Sequence, residues 1–265
     1  MRTSPFWIAL ASSAVSFAVV AGCGSTNGVN DSGGGAGGGD AKASEDGATS
    51  GSDGGVATGD AATGTEGGLP LGEAGAPLTC TAPATYTNNY VGCGSERWTV
   101  KTGADSQAAT ISLTPTETTI AALVALNGGK PYSSPPATSR VSPDETKLVF
   151  LRDINLIYAR AESDSDYHLG IEDAAMNKMI AEIPYPGSNG KCLDVGNPWS
   201  CLISHARAAA DATLMPTSSG HDPGLVATIV GVPFYDYPHG QTDEAPNGIE
   251  LHPVLAICFG KGCTP

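Results

Sequence analysis

The stretch KLVFLRDINLIYARAE, Lys147 to Glu162, decides the fold. It is long, mostly apolar and carries the Val, Ile, Phe and Tyr side chains that favour a strand. Asp153-Ile154 interrupts its pattern, so a bend is expected there. Tyr167 to Asp173 and Lys178 to Ile183 follow as two further strands, and the short connection Ala174 to Asn177 makes them a hairpin. Ser200 to Thr213 has the alanine-rich spacing of a helix, with Pro216 just beyond its end. Leu225 to Val232 and Ile249 to Cys258 are again β-rich. The order strand, strand, strand, helix, strand, strand is that of an OB-fold, a small antiparallel barrel with its helix between the third and fourth strands. The same order also suits another small antiparallel sheet or sandwich with one helix. The expectation is a mainly β, OB-fold-like domain with two short helices and an N-terminal extension.

Upstream of this block, Glu96 to Thr102 reads as a short strand. Thr114-Pro115-Thr116-Glu117 has the form of a capping box with proline at the first helical position, predicting a helix to Leu126 that Gly128 and Gly129 stop. Ser133 to Pro143, rich in Ser and Pro, is a loop, and no internal repeat is present.

The N-terminus carries an address. Arg2, an apolar run from Phe6 to Val20 and small residues before Cys23 form a short export signal over residues 1–22. That run is too short for a spanning helix of roughly 20 residues. Val20-Ala21-Gly22-Cys23 resembles a bacterial lipobox, whose cysteine takes the lipid and becomes the new N-terminus. Gly24 rather than Asp follows, which resembles the outer-membrane pattern. Residues 24–79 are Gly, Ala, Ser, Thr and Asp with few large apolar side chains, a composition that cannot offset the entropy of ordering and predicts a disordered tether. The expected organisation is therefore a signal (1–22), a tether (23–79) lipid-anchored to the envelope membrane through Cys23, and one folded domain (80–265).

Charge and cysteine count narrow the functions. The chain carries −14, of which the domain from Cys80 onward contributes 19 acids against 11 bases. A domain of that sign repels polyanions, which argues against non-specific nucleic-acid binding. With Cys23 set aside, six cysteines remain, an even number that favours disulfides in an exported chain. They fall into three local couples, Cys80/Cys93, Cys192/Cys201 and Cys258/Cys263, which is the expected pairing. There is no C-x-x-C, G-x-S-x-G or P-loop motif, and no G-x-G-x-x-G follows a strand, so zinc-ribbon, serine-hydrolase and nucleotide-binding readings have no support.

Four blocks are similar to one uncharacterised family of secreted bacterial proteins: TTIAAL from Thr118, DSDYHL from Asp164, MIAEIP from Met179, and HGQT from His239 with APNGIELHPV from Ala245. The similarity runs in order from about Glu96 to Ile257. Gly170 stands where that family usually has Val, and Asp243-Glu244 replaces a smaller, uncharged pair. The resemblance implies boundaries and motif identity, and it carries no activity.

Those blocks also hold the candidate site. Residues two apart on a strand share a face, so Tyr167, Leu169 and Ile171 oppose Asp166, His168 and Glu172, while Ile249 and Leu251 oppose Glu250 and His252. Each strand thus offers an acid and a histidine. If the polar faces meet, Asp166, His168, Glu250 and His252 form a mixed nitrogen and oxygen set suited to a divalent metal such as zinc or manganese. The same set suits a general base with its orienting carboxylate. Asp236, His239 and Gln241 are expected at the rim. Asn247, in a Pro-Asn-Gly turn, is expected to bond neighbouring backbone. Polar groups in small β domains also serve simply to tie down loops. Three functions follow: a ligand-binding module (for oligosaccharides, peptides or nucleic acids), a metal-dependent hydrolase of phosphodiesterase or nuclease type, and a structural envelope component.

Overall fold

The computed structural model describes residues 75–187, 192, 193 and 196–265. The export signal, Cys23 and nearly all of the tether lie outside the described residues. No helix among the described residues is long and apolar enough to cross a membrane.

Five strands close into a barrel: β2 (Val149–Ala161), β3 (Tyr167–Glu172), β4 (Lys178–Ile183), β5 (Leu225–Tyr235) and β6 (Ile249–Phe259). Their order is β2-β3-β4-β6-β5, and β5 returns to β2. Closure depends on the length of β2. Its first half pairs with β5, from Val149↔Gly231 to Leu156↔Leu225, and its second half pairs with β3, from Asn155↔Glu172 to Ala161↔Tyr167. The bend that lets one strand serve both neighbours falls where the register shifts between Leu151 and Ile154. There Asp153 takes φ 51° and its Oδ1 accepts the Gly262 N–H at 2.6 Å. Every barrel pairing is antiparallel except β4 with β6. A short strand β1 (Thr116–Thr118) adds in parallel to β2. This is a mainly β protein with a small closed barrel, and its topology is consistent with an OB-like fold.

The helix between the third and fourth barrel strands, Ser200–Thr213, has the predicted bounds. It buries Leu202, Ile203, Ala206, Ala209 and Ala210 and packs against β6 and β4. Its Arg207, fully buried, donates to the carbonyls of Ile183 and Ser165 and lies 3.3 Å from the Tyr167 ring centroid. One cation thus ties the helix to the ends of two barrel strands.

Three expectations need correction. Glu96 to Thr102 is not a strand: helix α1 occupies Trp98–Thr102, opened by Arg97 at φ 48° and closed by Gly103 at φ 73°. The alternating pattern misleads because Arg97 is consumed by a buried ion pair. The predicted helix from Thr114 starts later, since Thr116–Thr118 pair with β2 as β1. Helix α2 is then only Ile120–Val124, with Thr119 Oγ1 accepting the Ala122 N–H, and Ser200–Thr213 is α3. The disulfides are Cys80–Cys201, Cys93–Cys192 and Cys258–Cys263, so only the last local couple forms. Cys80 and Cys93 belong to a segment laid along the barrel surface, which brings each beside a distant partner rather than beside the other. Just before Cys80, Leu78 is 4% exposed and its N–H donates to the Leu113 carbonyl.

Two buried arginines fix the extension. Arg97 makes a bidentate pair with Glu145 at 2.7 and 2.8 Å and donates to the carbonyls of Pro136, Ser139 and Tyr235. Glu145 also accepts the N–H groups of Val141 and Tyr235. Arg140 pairs likewise with Asp105, at 2.6 and 3.1 Å.

Glu145→Gln leaves Arg97 as an uncompensated buried charge and is expected to cost about 3–5 kcal/mol, measurable by denaturant titration. Non-reducing peptide mapping should recover the 80–201, 93–192 and 258–263 pairs. Removing either of the first two, which are nested so that the other still closes most of the loop, should cost roughly 3 kcal/mol on the chain-entropy account, against roughly 2 for the third.

Candidate polar site

The barrel interior takes Tyr167, Leu169 and Ile171 of β3, Met179, Ala181 and Ile183 of β4, and Ile249 and Leu251 of β6. Strand alternation therefore turns His168, Glu182 and Glu250 to the outer face. His168 and Glu182 are direct cross-strand partners, and Ile180↔Glu250 sets β6 alongside. His252 joins them from an irregular stretch of β6, where partners jump from Gly231↔Val254 to Pro233↔Leu251. Bulges of this sort re-aim side chains. Gly231 permits the close approach, since a Cβ there would sit 3.1 Å from both Leu251 Cβ and the Pro253 carbonyl oxygen.

The outer face is not exposed. The Leu78–Thr102 extension crosses it, pinned by Ser165, whose hydroxyl accepts the N–H groups of Val91 and Gly92. As a result Asp166, His168, Glu182, Glu250 and His252 are all buried. Glu182 is the hub. Its Oε1 is 3.1 Å from His168 Nδ1 and its Oε2 is 3.0 Å from His252 Nδ1. His252 Nδ1 also lies 3.2 Å from Glu250 Oε1, and its Nε2 lies 3.4 Å from Asp166 Oδ2. Lys101, delivered by α1, reaches Asp236 Oδ2 at 3.3 Å and sits 5.2 Å from the Phe234 ring centroid.

Burial and neighbours set the charges in opposite directions. Desolvation pushes Asp166 up to about 6, against the pull of His252. Desolvation and the adjacent Glu182 push Glu250 up to about 7. Glu182 feels the same desolvation, but hydrogen bonds from His168 and His252, and then Lys101, hold it well below the usual range. Desolvation pulls His252 down, yet its three carboxylate neighbours carry it well above its ordinary value. His168 is raised, with Glu182 overcoming desolvation. Lys101 is raised because Glu250, Glu182 and Asp236 outweigh its desolvation. His168 Nε2 also faces the Thr242 carbonyl, which only accepts. Both ring nitrogens of His168 therefore carry protons when Glu182 is ionised.

A cleft of about 380 Å³ opens beside the cluster, and Glu182 belongs to both. Its walls are Cys93 to Glu96, Trp98 and Lys101 from the extension, Glu162 to Asp164 from the β2–β3 connection, and Asp236, His239 and Gln241 from the β5–β6 connection. In OB-folds the face of the second and third strands, between these two loops, is where ligands bind.

The structure thus brings Asp166, His168, Glu250 and His252 together and sets Asp236, His239 and Gln241 along the cleft. His239 Nδ1 is bonded to the Tyr237 carbonyl, outside the buried cluster. Asn247 is structural: its amide donates to the Leu123 and Leu126 carbonyls, and its Oδ1 accepts the Ile249 N–H. Sequence reasoning missed Glu182 and Lys101. Glu182 was findable from the hairpin, because Lys178, Ile180 and Glu182 share the outer face opposite His168. Lys101 had no such signal while its segment read as a strand. Gly170 and Asp243 are neighbours. A Cβ at Gly170 would run into the Asp243 carboxylate, which pairs with Lys178 at 3.0 Å.

Comparison with protein-family models, with curated proteins and with solved structures finds no match for this chain.

Stability should report the cluster's charges. Asp166, Glu250 and His252 bind protons more tightly folded than unfolded, so their contribution is present below their ordinary values and lost as pH rises through the raised ones. Glu182 has the opposite sign, and its contribution is lost as pH falls below the ordinary carboxylate range. Melting temperature in the presence of a chelator is expected to peak at about pH 5 and decline toward about pH 8. Glu250→Gln, which keeps that side chain neutral, should flatten the decline. A wild-type profile that rises through the same range would overturn this assignment of charge.

Proposed function

We propose that the chain is a lipid-anchored envelope protein whose OB-like barrel is a ligand-binding module, and that its cleft takes a neutral or cationic polyhydroxyl ligand of oligosaccharide type. The observation that carries this reading is the lining of the cleft at the OB ligand face. Glu96, Glu162, Asp164, Glu182 and Asp236 outnumber Lys101 there, and Trp98 supplies an aromatic surface. Carboxylates and Gln241 accept hydrogen bonds from hydroxyl groups, an indole offers an apolar face to a sugar ring, and excess negative charge disfavours nucleic acid.

Metal-dependent hydrolysis is a second reading, favoured by one feature: Asp166 Oδ2 and His252 Nε2 are buried close together without hydrogen bonds. Against it, both groups lie beneath the surface, and His239 is not among them. Chelator-sensitive cleavage of a simple phosphodiester would be its signature.

The ligand test uses the full exported chain with Cys23→Ser, which should move the protein from the membrane fraction to the soluble one. Glycan arrays are expected to give binding and oligonucleotide arrays none. Trp98→Ala should weaken glycan binding by about tenfold or more, with Trp98→Phe retaining part of it. Blank glycan arrays, or binding confined to polyanions, would overturn the proposal.

A further inference from the structure

Asp166 Oδ2 and His252 Nε2 face each other at 3.4 Å in side chains that are both 1% exposed, and among the described residues neither atom makes a hydrogen bond. Leaving two buried polar atoms unsatisfied is costly, and each such pair needs a physical account. The other polar atoms of these residues are satisfied. Asp166 Oδ1 accepts the Tyr185 N–H at 2.9 Å, and His252 Nδ1 is hydrogen-bonded to Glu250 Oε1. An imidazole whose far nitrogen faces carboxylates, with its near nitrogen aimed at another carboxylate but outside hydrogen-bond geometry, is arranged as a metal-binding histidine is.

Spacing and charge agree. Two donors on a tetrahedral ion with bonds of about 2.0 Å stand about 3.3 Å apart. One ligand atom each from Asp166, Glu182 and His252 lies within 4.8 Å of the other two. If His252 is neutral, the carboxylates Asp166, Glu182, Asp236 and Glu250 outnumber the cations Lys101 and His168 by two charges. We propose that Asp166, Glu182 and His252 form a site for one divalent cation of the zinc class, with His252 binding through Nε2 and Glu250 orienting its ring through Nδ1. Mixed nitrogen and oxygen donors suit zinc or manganese better than calcium. Glu182 also lines the cleft, which provides a route from solvent. Among the described residues the other grouping of metal-binding residue types, Cys80, Cys201 and His205, cannot serve because its sulfurs are joined in a disulfide. The cation site does not rest on the oligosaccharide reading, and either can fail without the other.

The test uses the full Cys23→Ser chain, oxidised, free of any affinity tag and stripped with chelator. Competition with a chromophoric chelator should give one Zn²⁺ per chain, and Co²⁺ should give a visible absorption band that Zn²⁺ abolishes. In the wild type, Zn²⁺ should shift the ¹⁵N resonance of His252 Nε2 and leave that of the exposed His221 unchanged. Asp166→Asn and His252→Gln should each lower affinity by about 10–100-fold. The ¹⁵N measurement stands even if those variants fail to fold. Folded wild type that takes up no ion, as a water bridging the two atoms would produce, overturns the site. So does an ion whose binding leaves the His252 resonance in place.

Discussion

Glu145 holds four donors at once: both terminal nitrogens of Arg97 and the backbone N–H groups of Val141 and Tyr235. Arg97 in turn spends its remaining donors on three carbonyls from the 136–139 loop and the end of β5. All five guanidinium N–H donors are thus used on protein oxygens, so the geometry is over-determined, and it fixes where α1 begins. A residue held at φ 48° in front of a five-residue helix would otherwise be unfavourable. The interaction therefore does more than join two charges. It sets the extension against the barrel wall and so decides that Lys101 points into the carboxylate cluster and that Trp98 stands in the cleft.

Covering the outer face changes the chemistry of everything under it. On an open barrel, His168, Glu182, Glu250 and His252 would be a solvated stripe with ordinary charges. Once the extension lies over them, three carboxylates compete for a limited supply of protons and cations. Glu182 wins because both histidines and Lys101 face it, whereas Glu250 sees Glu182 as a repulsive neighbour. Asp166 sits at the far side of His252, where burial dominates. The unequal outcome follows from position along one row of side chains rather than from residue type, since Glu182 and Glu250 are chemically identical.

How much of this was legible in the sequence depends on the range of the forces involved. Strand β2 with its bend at Asp153, the β3–β4 hairpin and helix α3 are set by local patterning, and each was readable. So were the polar faces holding Asp166, His168, Glu250 and His252, because strand alternation is local too. Helix α1 was not, because a long-range ion pair overrides its alternating pattern. The same reason hid the disulfides: proximity along the chain suggested Cys80 with Cys93, but the extension runs past the barrel and separates them. Glu182 lay between these cases, visible in principle through its cross-strand partner but masked by an apolar strand.

The two long-range disulfides connect this cover to the proposed address. Cys93 forms part of the cleft wall, and its bond to Cys192 holds that wall to the segment whose Cys192 carbonyl accepts the Trp98 indole N–H at 2.8 Å. Cys80–Cys201 fastens the start of the same extension to the first turn of α3. Without these disulfides, the buried ion pairs, hydrogen bonds and apolar contacts would have to hold a segment with little regular structure against the entropy of its release. Where thiols stay reduced, the extension loses both fastenings, the outer face can hydrate, and the carboxylates no longer compete in a dry environment. Both disulfides therefore reinforce the cover over the cluster and the cleft wall, and bonds of this kind persist in an oxidising compartment.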